Sequence, residues 1–152
     1  MKTEDGRAED ERVNWLSSIP FFLMHFVPLL ALVTGVTWGS VVLCIALYVV
    51  RMFFITAGYH RYFAHRSYKL GRGMQFVMAL GGTLAAQKGV LWWAGHHRDH
   101  HLYADQPEDI HSPRKGFWWS HVGWFLSDKY KSTPTDRITD FSIYPELRWL
   151  DK

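Results

Sequence analysis

Apolar residues form one long, nearly uncharged run in the first third of the chain. Within residues 19–56 the only Lys, Arg, Asp or Glu is Arg51, and the run is long enough for two membrane crossings of about 20 residues each. Glycines and a tryptophan interrupt it at residues 34–39, a composition typical of a turn at a membrane interface. The pattern predicts a transmembrane helical hairpin over residues 19–58.

A soluble arrangement, with the run folded as two buried core helices, is the less favoured interpretation. A chain of 152 residues offers little protein to cover two such helices. Eight Trp and seven Tyr residues suit a bilayer interface better than a small soluble fold. The single cysteine, Cys44, lies inside the apolar run, so we expect no disulfide framework.

Basic residues flank both ends of the predicted hairpin, whereas its turn carries none. Those before it are Lys2, Arg7 and Arg12, and those after it are Arg61, Arg66, Lys69 and Arg72. The positive-inside rule then predicts that both termini lie in the cytoplasm. Residues 1–18 mix acidic and basic side chains, which argues against a secretory signal and predicts a short cytoplasmic tail.

The remaining chain, residues 59–152, alternates aromatic and polar stretches. Residues 73–93 are too polar and glycine-rich for a third crossing, and they predict an interfacial or half-buried helix, as do residues 116–126. The predicted fold class is therefore an all-α integral membrane protein, in which a transmembrane hairpin precedes cytoplasmic and interfacial helices. A net charge of +3, with the basic residues dispersed, argues against nucleic-acid binding.

Six of the nine histidines fall in two clusters just after the apolar run. The first holds His60 and His65, and the second holds His96, His97, His100 and His101. Neutral imidazole binds iron, zinc, copper and nickel, while the lack of nearby cysteines and of an H-E-x-x-H motif argues against a zinc ribbon or zinc protease. The clusters predict a redox metal site at the membrane surface, with iron the favoured metal.

Helical spacing separates the histidines into sets. His97 shares one helix face with His100 and His101, which are three and four residues further on. The latter two differ by about 100° of rotation, so they could serve two metal ions. On an ideal α-helix His60 and His65 lie about 140° apart, so the pair needs either a helix end or a different metal ion for each residue.

The other histidines are weaker candidates. His25, His111 and His121 stand alone in the sequence and are expected to be ordinary hydrogen-bonding or surface residues, with His111 closest to the clusters. His96 could reach a metal from the face that it shares with His100, or it could orient a ligand or face a substrate.

These residues resemble the membrane-bound fatty acid desaturases, in the acyl-CoA (stearoyl-type, delta-9) branch. His60 and His65 match the family's first box, H-x-x-x-x-H, and His97, His100 and His101 match its second, H-x-x-H-H. The similarity covers residues 35–152, including the segments 81–87, 93–94, 105–111, 115–124 and 145–150.

The resemblance implies an enzyme that introduces a cis double bond into a fatty acyl chain. It implies two nonhaem iron ions held by the five box histidines and others, with O2 as co-substrate and an electron donor such as ferredoxin or cytochrome b5. Gln87 and Trp93 would line the acyl tunnel, and His96 and His111 could support the ligands. Gly95-His96 and Asp128-Lys129 depart from the animal acyl-CoA pattern, which leaves CoA, carrier protein and intact lipid open as acyl carriers.

Members of this family continue through two more membrane helices and a third histidine box. We therefore expect this chain to correspond to the N-terminal portion of a desaturase, either truncated or completed by a second chain that supplies the third box. Two alternatives remain: a catalytically inactive membrane fragment, and a related diiron lipid hydroxylase.

Overall fold

The first apolar helix starts before the predicted hairpin does. In the computed structural model, which describes residues 11–152, α1 spans Trp15–Met24 and continues through a 3-10 turn, Val27–Leu30, into α2, Ala31–Thr34. Asn14 begins α1 because its side-chain oxygen accepts the backbone N–H of Ser17 at 3.1 Å. Lys2 and Arg7, two of the basic residues on which the predicted membrane orientation rests, lie outside the described part of the chain.

The second apolar helix is longer than predicted and changes its winding. The helix α3 spans Trp38–Phe53 and runs on as a π-helix, Phe54–Ala64. Trp15–Thr34 and Trp38–Ala64 are both long and apolar enough to cross a membrane, and only 6% and 11% of their most apolar windows are buried. Core helices of a soluble protein would be largely buried, so this exposure is what a lipid environment requires.

Residues 11–152 contain no β-strand, and their extended pairing is a single bridge between Val13 and Ser127. The prediction of an all-helical chain is confirmed for this part of the molecule. Close contacts divide the chain into two units, one of Met1–Leu43 with Asp105–Ser132 and the other of Cys44–Ala104 with Thr133–Lys152.

The second unit has a hydrophobic core built around the π-helix. The helices α4, Arg72–Thr83, and α5, Val90–Leu102, pack on it, and the short helices α7, Thr139–Ser142, and α8, Pro145–Leu150, complete the core. The most deeply buried apolar side chains are Tyr59, Phe63, Ala79, Val90, Leu91, Ala94, Ile138 and Leu147. The polar C-terminal segment is thus part of the core.

Two glycines of α4 allow its close approach to the π-helix. A Cβ atom at Gly82 would lie 2.2 Å from the ring of Tyr59, and one at Gly81 would lie 2.3 Å from the ring of Phe54. Such separations are well inside van der Waals contact. The glycine-rich composition that argues against a membrane crossing therefore has a packing role.

Residues 73–93 form parts of two helices, rather than the single helix expected from the sequence. The break lies between α4 and α5, where Ala86 and Lys88 adopt left-handed backbone conformations with φ of 59° and 65°. A non-glycine residue in this region costs about 1 kcal/mol, which tertiary contacts must offset. One such contact is the hydrogen bond from the Tyr59 hydroxyl to the Lys88 carbonyl, 3.1 Å long.

The first unit joins the start of the chain to the second aromatic segment. There a π-helix, Trp119–Gly123, is followed by α6, Trp124–Leu126. The backbone N–H of Asn14 donates to the carbonyl of Leu126 at 3.0 Å, and the rings of Phe21 and Phe125 meet edge to face with centroids 5.4 Å apart. The helix predicted near residues 116–126 is present.

Candidate metal centre

The π-helix brings His60 and His65 together. The N–H of His65 bonds to the carbonyl of His60 at 3.0 Å, which is the i to i+5 pattern of a π-helix. Their Nε2 atoms are 3.1 Å apart. The prediction that these two side chains diverge by about 140° is therefore wrong. It assumed an α-helix, whereas the wider turn of a π-helix places residues five apart nearly above one another.

The helix α5 presents the second pair, His97 and His101. These residues are one α-helical turn apart and their Nε2 atoms lie 3.0 Å from each other, as the four-residue spacing predicts. Ring centroids of His60 and His97 are 4.8 Å apart, and those of His65 and His101 are 4.6 Å apart. One ligand atom from each of the four histidines lies within 4.8 Å of the others.

The donor set fits a metal ion. Two nitrogens that are each about 2.1 Å from one ion, in neighbouring octahedral positions, are about 3 Å apart. Both histidine pairs have this Nε2 separation. Four imidazoles without a thiolate or carboxylate form a site suited to iron, zinc, copper or nickel, as expected from the sequence.

Burial lowers the pKa values of His97 and His101 on α5. Burial, followed by repulsion from neighbouring imidazoles, lowers the pKa of His97 to about 3. The pKa of His101 is also lowered, first by burial and then by the charges of His65 and His100. At neutral pH these rings therefore retain the lone pair that a metal requires.

His100 and His96 lie outside the group of four. The converging ligand atoms do not include one from His100, whose ring centroid lies 6.1 Å from that of His97 and 5.4 Å from that of His101. His96 is buried and stacks on Trp92, with its Nδ1 3.1 Å from the Trp92 carbonyl. Burial lowers the pKa of His96 to about 4.

The isolated histidines have local contacts in the first unit. His25 places Nδ1 2.8 Å from the Phe21 carbonyl, and His121 stacks on Phe117 with ring centroids 4.2 Å apart. The ring of His111 lies 5.3 Å from that of Trp124, and its backbone N–H donates to Asp109.

Gln87 and Trp93 meet beside the histidines. Trp93 donates its indole N–H to the Gln87 side-chain oxygen at 3.2 Å, and the indole stacks on His97 with centroids 4.7 Å apart and planes at 26°. The same indole is 6.4 Å from the His60 ring. Of the two residues that the resemblance associates with the acyl chain, Trp93 thus lies against the histidine group and Gln87 is bonded to Trp93.

A match to the fatty acid desaturase family model covers residues 36–150 of this chain. The chain belongs to the fatty acid desaturase family. Membership, together with the two apolar helices, indicates a membrane protein, and it confirms the family expected from the histidine boxes.

Individual desaturases are similar over most of this chain. An sn-1 stearoyl-lipid 9-desaturase of Anabaena variabilis is 35% identical over 93% of this chain and 53% of its own length. Another of that name from Synechocystis sp. is 40% identical over 74% of this chain and 36% of its own. A probable acyl-CoA desaturase of Schizosaccharomyces pombe is 34% identical over 75% of this chain and 24% of its own. The chain thus spans about half or less of these relatives.

The sequence did not indicate that Arg66, Arg98 and Asp140 form an ion-pair network next to the histidine pairs. Arg98 follows His97 and pairs with Asp140, and Arg66 follows His65 and reaches the same carboxylate. Burial acts to raise the pKa of Asp140, but hydrogen bonding from Arg98 and the charges of both arginines outweigh it and keep the pKa below its ordinary value. The available signal was an arginine directly after a histidine in each box.

Proposed function

We propose that this chain forms the histidine-bearing part of an O2-dependent, nonhaem diiron fatty acyl desaturase. The observation that carries the proposal is the convergence of four histidines from two distant segments, inside the region that matches the family. Relatives named for acyl-lipid and acyl-CoA desaturation support the reaction class.

In this proposal His60, His65, His97 and His101 hold iron, and His100 contributes a fifth ligand. Bound iron would supply the oxidising power needed to break unactivated C–H bonds. The balanced reaction removes two hydrogens from adjacent carbons and consumes O2, two electrons and two protons, giving a double bond and two waters. The remaining ligands would come from a further histidine box, in a continuation of the chain or in a second chain.

Gln87 and Trp93 would hold the acyl chain beside the histidines. Their hydrogen bond and the stacking of Trp93 on His97 restrict the indole to one orientation. The apolar face of the indole in this place would position a methylene pair and exclude water from the oxidising centre. The alternative role for both residues is helix packing alone.

The two apolar helices would form a membrane hairpin, with both termini and the histidines on the cytoplasmic side. Flanking basic residues support this orientation. A cytoplasmic site would give access to a small electron carrier such as ferredoxin or cytochrome b5, while the adjacent bilayer would supply the acyl chain. CoA, carrier protein and lipid head group are the three candidate acyl carriers.

The test combines iron analysis with fatty-acid profiling of cells that express the chain. About two irons per chain and new monounsaturated fatty acids would support the proposal. His97→Ala is the negative control and should abolish both signals. Hydroxylated fatty acids would instead identify a hydroxylase. Absence of both iron and product, with the chain expressed alone and together with a segment that carries a further histidine box, would identify a catalytically inactive membrane fragment.

A further inference from the structure

Arg98 is hydrogen-bonded through every donor of its guanidinium group. Nε donates to the Ala64 carbonyl at 3.2 Å, and Nη2 donates to the Phe63 carbonyl at 2.6 Å and to Asp140 Oδ2 at 3.1 Å. Nη1 donates to the Arg137 carbonyl and to Asp140 Oδ1, both at 2.8 Å. A guanidinium has five N–H donors, so this side chain has one fully specified position.

Two of the three carbonyls bound by Arg98 belong to the end of the π-helix. Phe63 and Ala64 are its last residues, and His65 follows them directly. Carbonyls at a helix C-terminus lack partners within the helix and attract cations. Arg98 itself follows His97 on α5. It therefore connects the helix that carries one histidine pair to the helix that carries the other.

Asp140 completes this connection from the C-terminal segment. It receives two hydrogen bonds from Arg98 and a third contact from Arg66 Nε, at 2.8 Å from Oδ2. One carboxylate thus holds the residue after His65 and the residue after His97. The Arg98 side chain is 14% exposed and that of Asp140 is 29% exposed, so water screens their attraction only in part.

We infer that Arg98 and Asp140 are positioning residues that set the distance between the His60–His65 pair and the His97–His101 pair. Neither residue touches the metal position, and both act through the backbone next to a histidine. The inference rests on the proposed function, because it requires that the four histidines bind a metal. Supporting groups of this kind typically change metal affinity by about 10–100-fold.

A second ion pair in the same unit provides a matched control. Arg72 and Glu146 also form a bidentate pair, with distances of 2.7 and 2.9 Å, and Glu146 likewise lies on the C-terminal segment. The described contacts of this pair include no histidine. Glu146→Gln therefore removes an ion pair of the same bidentate geometry, on a more exposed arginine, without altering the backbone beside either histidine pair.

The experiment is a Co2+ titration of the purified full chain, followed by visible absorption, with metal-free thermal unfolding measured in parallel. For Asp140→Asn and Arg98→Lys we expect Co2+ affinity to fall about tenfold or more, with a shifted absorption band. Arg98→Lys keeps the positive charge but loses the planar guanidinium. A lower Co2+ affinity of this variant would therefore show that the geometry of the hydrogen bonds, and not the charge alone, is required. Asp140→Glu should restore part of the affinity, and Glu146→Gln should bind Co2+ as the unmodified chain does.

The outcomes separate the two proposals. Unchanged affinity and spectrum in both Asp140→Asn and Arg98→Lys would overturn the positioning role and leave the metal site standing. If Asp140→Asn does not fold, the same comparison is made with Arg98→Lys and Asp140→Glu. Failure of the unmodified chain to bind Co2+ would overturn the four-histidine site, and the positioning role with it.

Discussion

The two histidine pairs reach the same geometry by different backbone routes. His97 and His101 are four residues apart on an α-helix, whereas His60 and His65 are five apart and meet only because the helix becomes π-helical. The Nε2 separations are nevertheless 3.0 and 3.1 Å. An α-helix can form from local bonds alone, but a π-helix is rare and needs tertiary contacts to support it. The His60–His65 pair should therefore depend more on tertiary packing than the His97–His101 pair does.

Removal of a histidine should have the largest effect. We expect His101→Ala and His65→Ala each to reduce metal affinity by about a hundredfold or more, because each removes one of four converging nitrogens. Both variants should still insert into membranes, because both apolar helices end before residue 65. Carbonate extraction and metal titration measure the two properties, and loss of insertion would contradict the proposed topology.

A methyl group at Gly82 should disturb the π-helix that carries His60 and His65, whereas one at Gly73 should not. Its Cβ would lie 2.2 Å from the Tyr59 ring, so Gly82→Ala should destabilise the unit by about 1–3 kcal/mol and also lower metal affinity. Gly73→Ala, in the same helix with nothing within 4 Å of its Cβ, is the control and should stabilise by up to about 1 kcal/mol. Equal unfolding temperatures for the two variants would contradict the packing argument.

Loss of the carboxylate of Asp151 should weaken the start of α5. Asp151 accepts the backbone N–H of Trp92 at 2.8 Å and the hydroxyl of Thr133 at 2.6 Å. Asp151→Ala should destabilise by about 1–2 kcal/mol, as for other helix caps. Chemical denaturation measures this, with the exposed Asp136→Ala as a variant expected to show little change.

The smallest effect should be a pH-dependent contribution from Glu146. Hydrogen bonding from Arg72 lowers the pKa of Glu146 from 4.5 to about 2. A depressed carboxyl pKa stabilises the fold above about pH 4.5, and this contribution disappears as the pH falls from there to about 2. The difference in unfolding temperature between the unmodified chain and Glu146→Gln should shrink over that window, and a constant difference would exclude this linkage.

Local patterns were sufficient for much of the architecture and for the ligand candidates. Uncharged runs predicted both apolar helices, since hydrocarbon tolerates few charged groups, and the turn composition at residues 34–39 located their boundary. Four-residue spacing predicted that His97 and His101 share a face. Each of these inferences depends only on neighbours within one or two helical turns.

Long-range contacts decided the rest. The π-helical winding that unites His60 with His65 is stabilised by packing against α4, so no local spacing rule predicts it. At the break between α4 and α5, the carbonyl of Lys88 accepts a hydrogen bond from the Tyr59 hydroxyl of a distant helix. Residues 133–152 look like a polar tail in sequence, yet they supply Asp140 and Asp151 to the histidine-bearing unit.

The sequence by itself determined which residues could bind a metal and which segments could enter a bilayer, because residue chemistry and hydropathy are local properties. Only the tertiary structure decided that four of the histidines converge and that a pair of charged residues, Arg98 and Asp140, joins their two helices. Convergence depends on distances between segments far apart in the chain, and those distances are set by core packing and by buried hydrogen bonds.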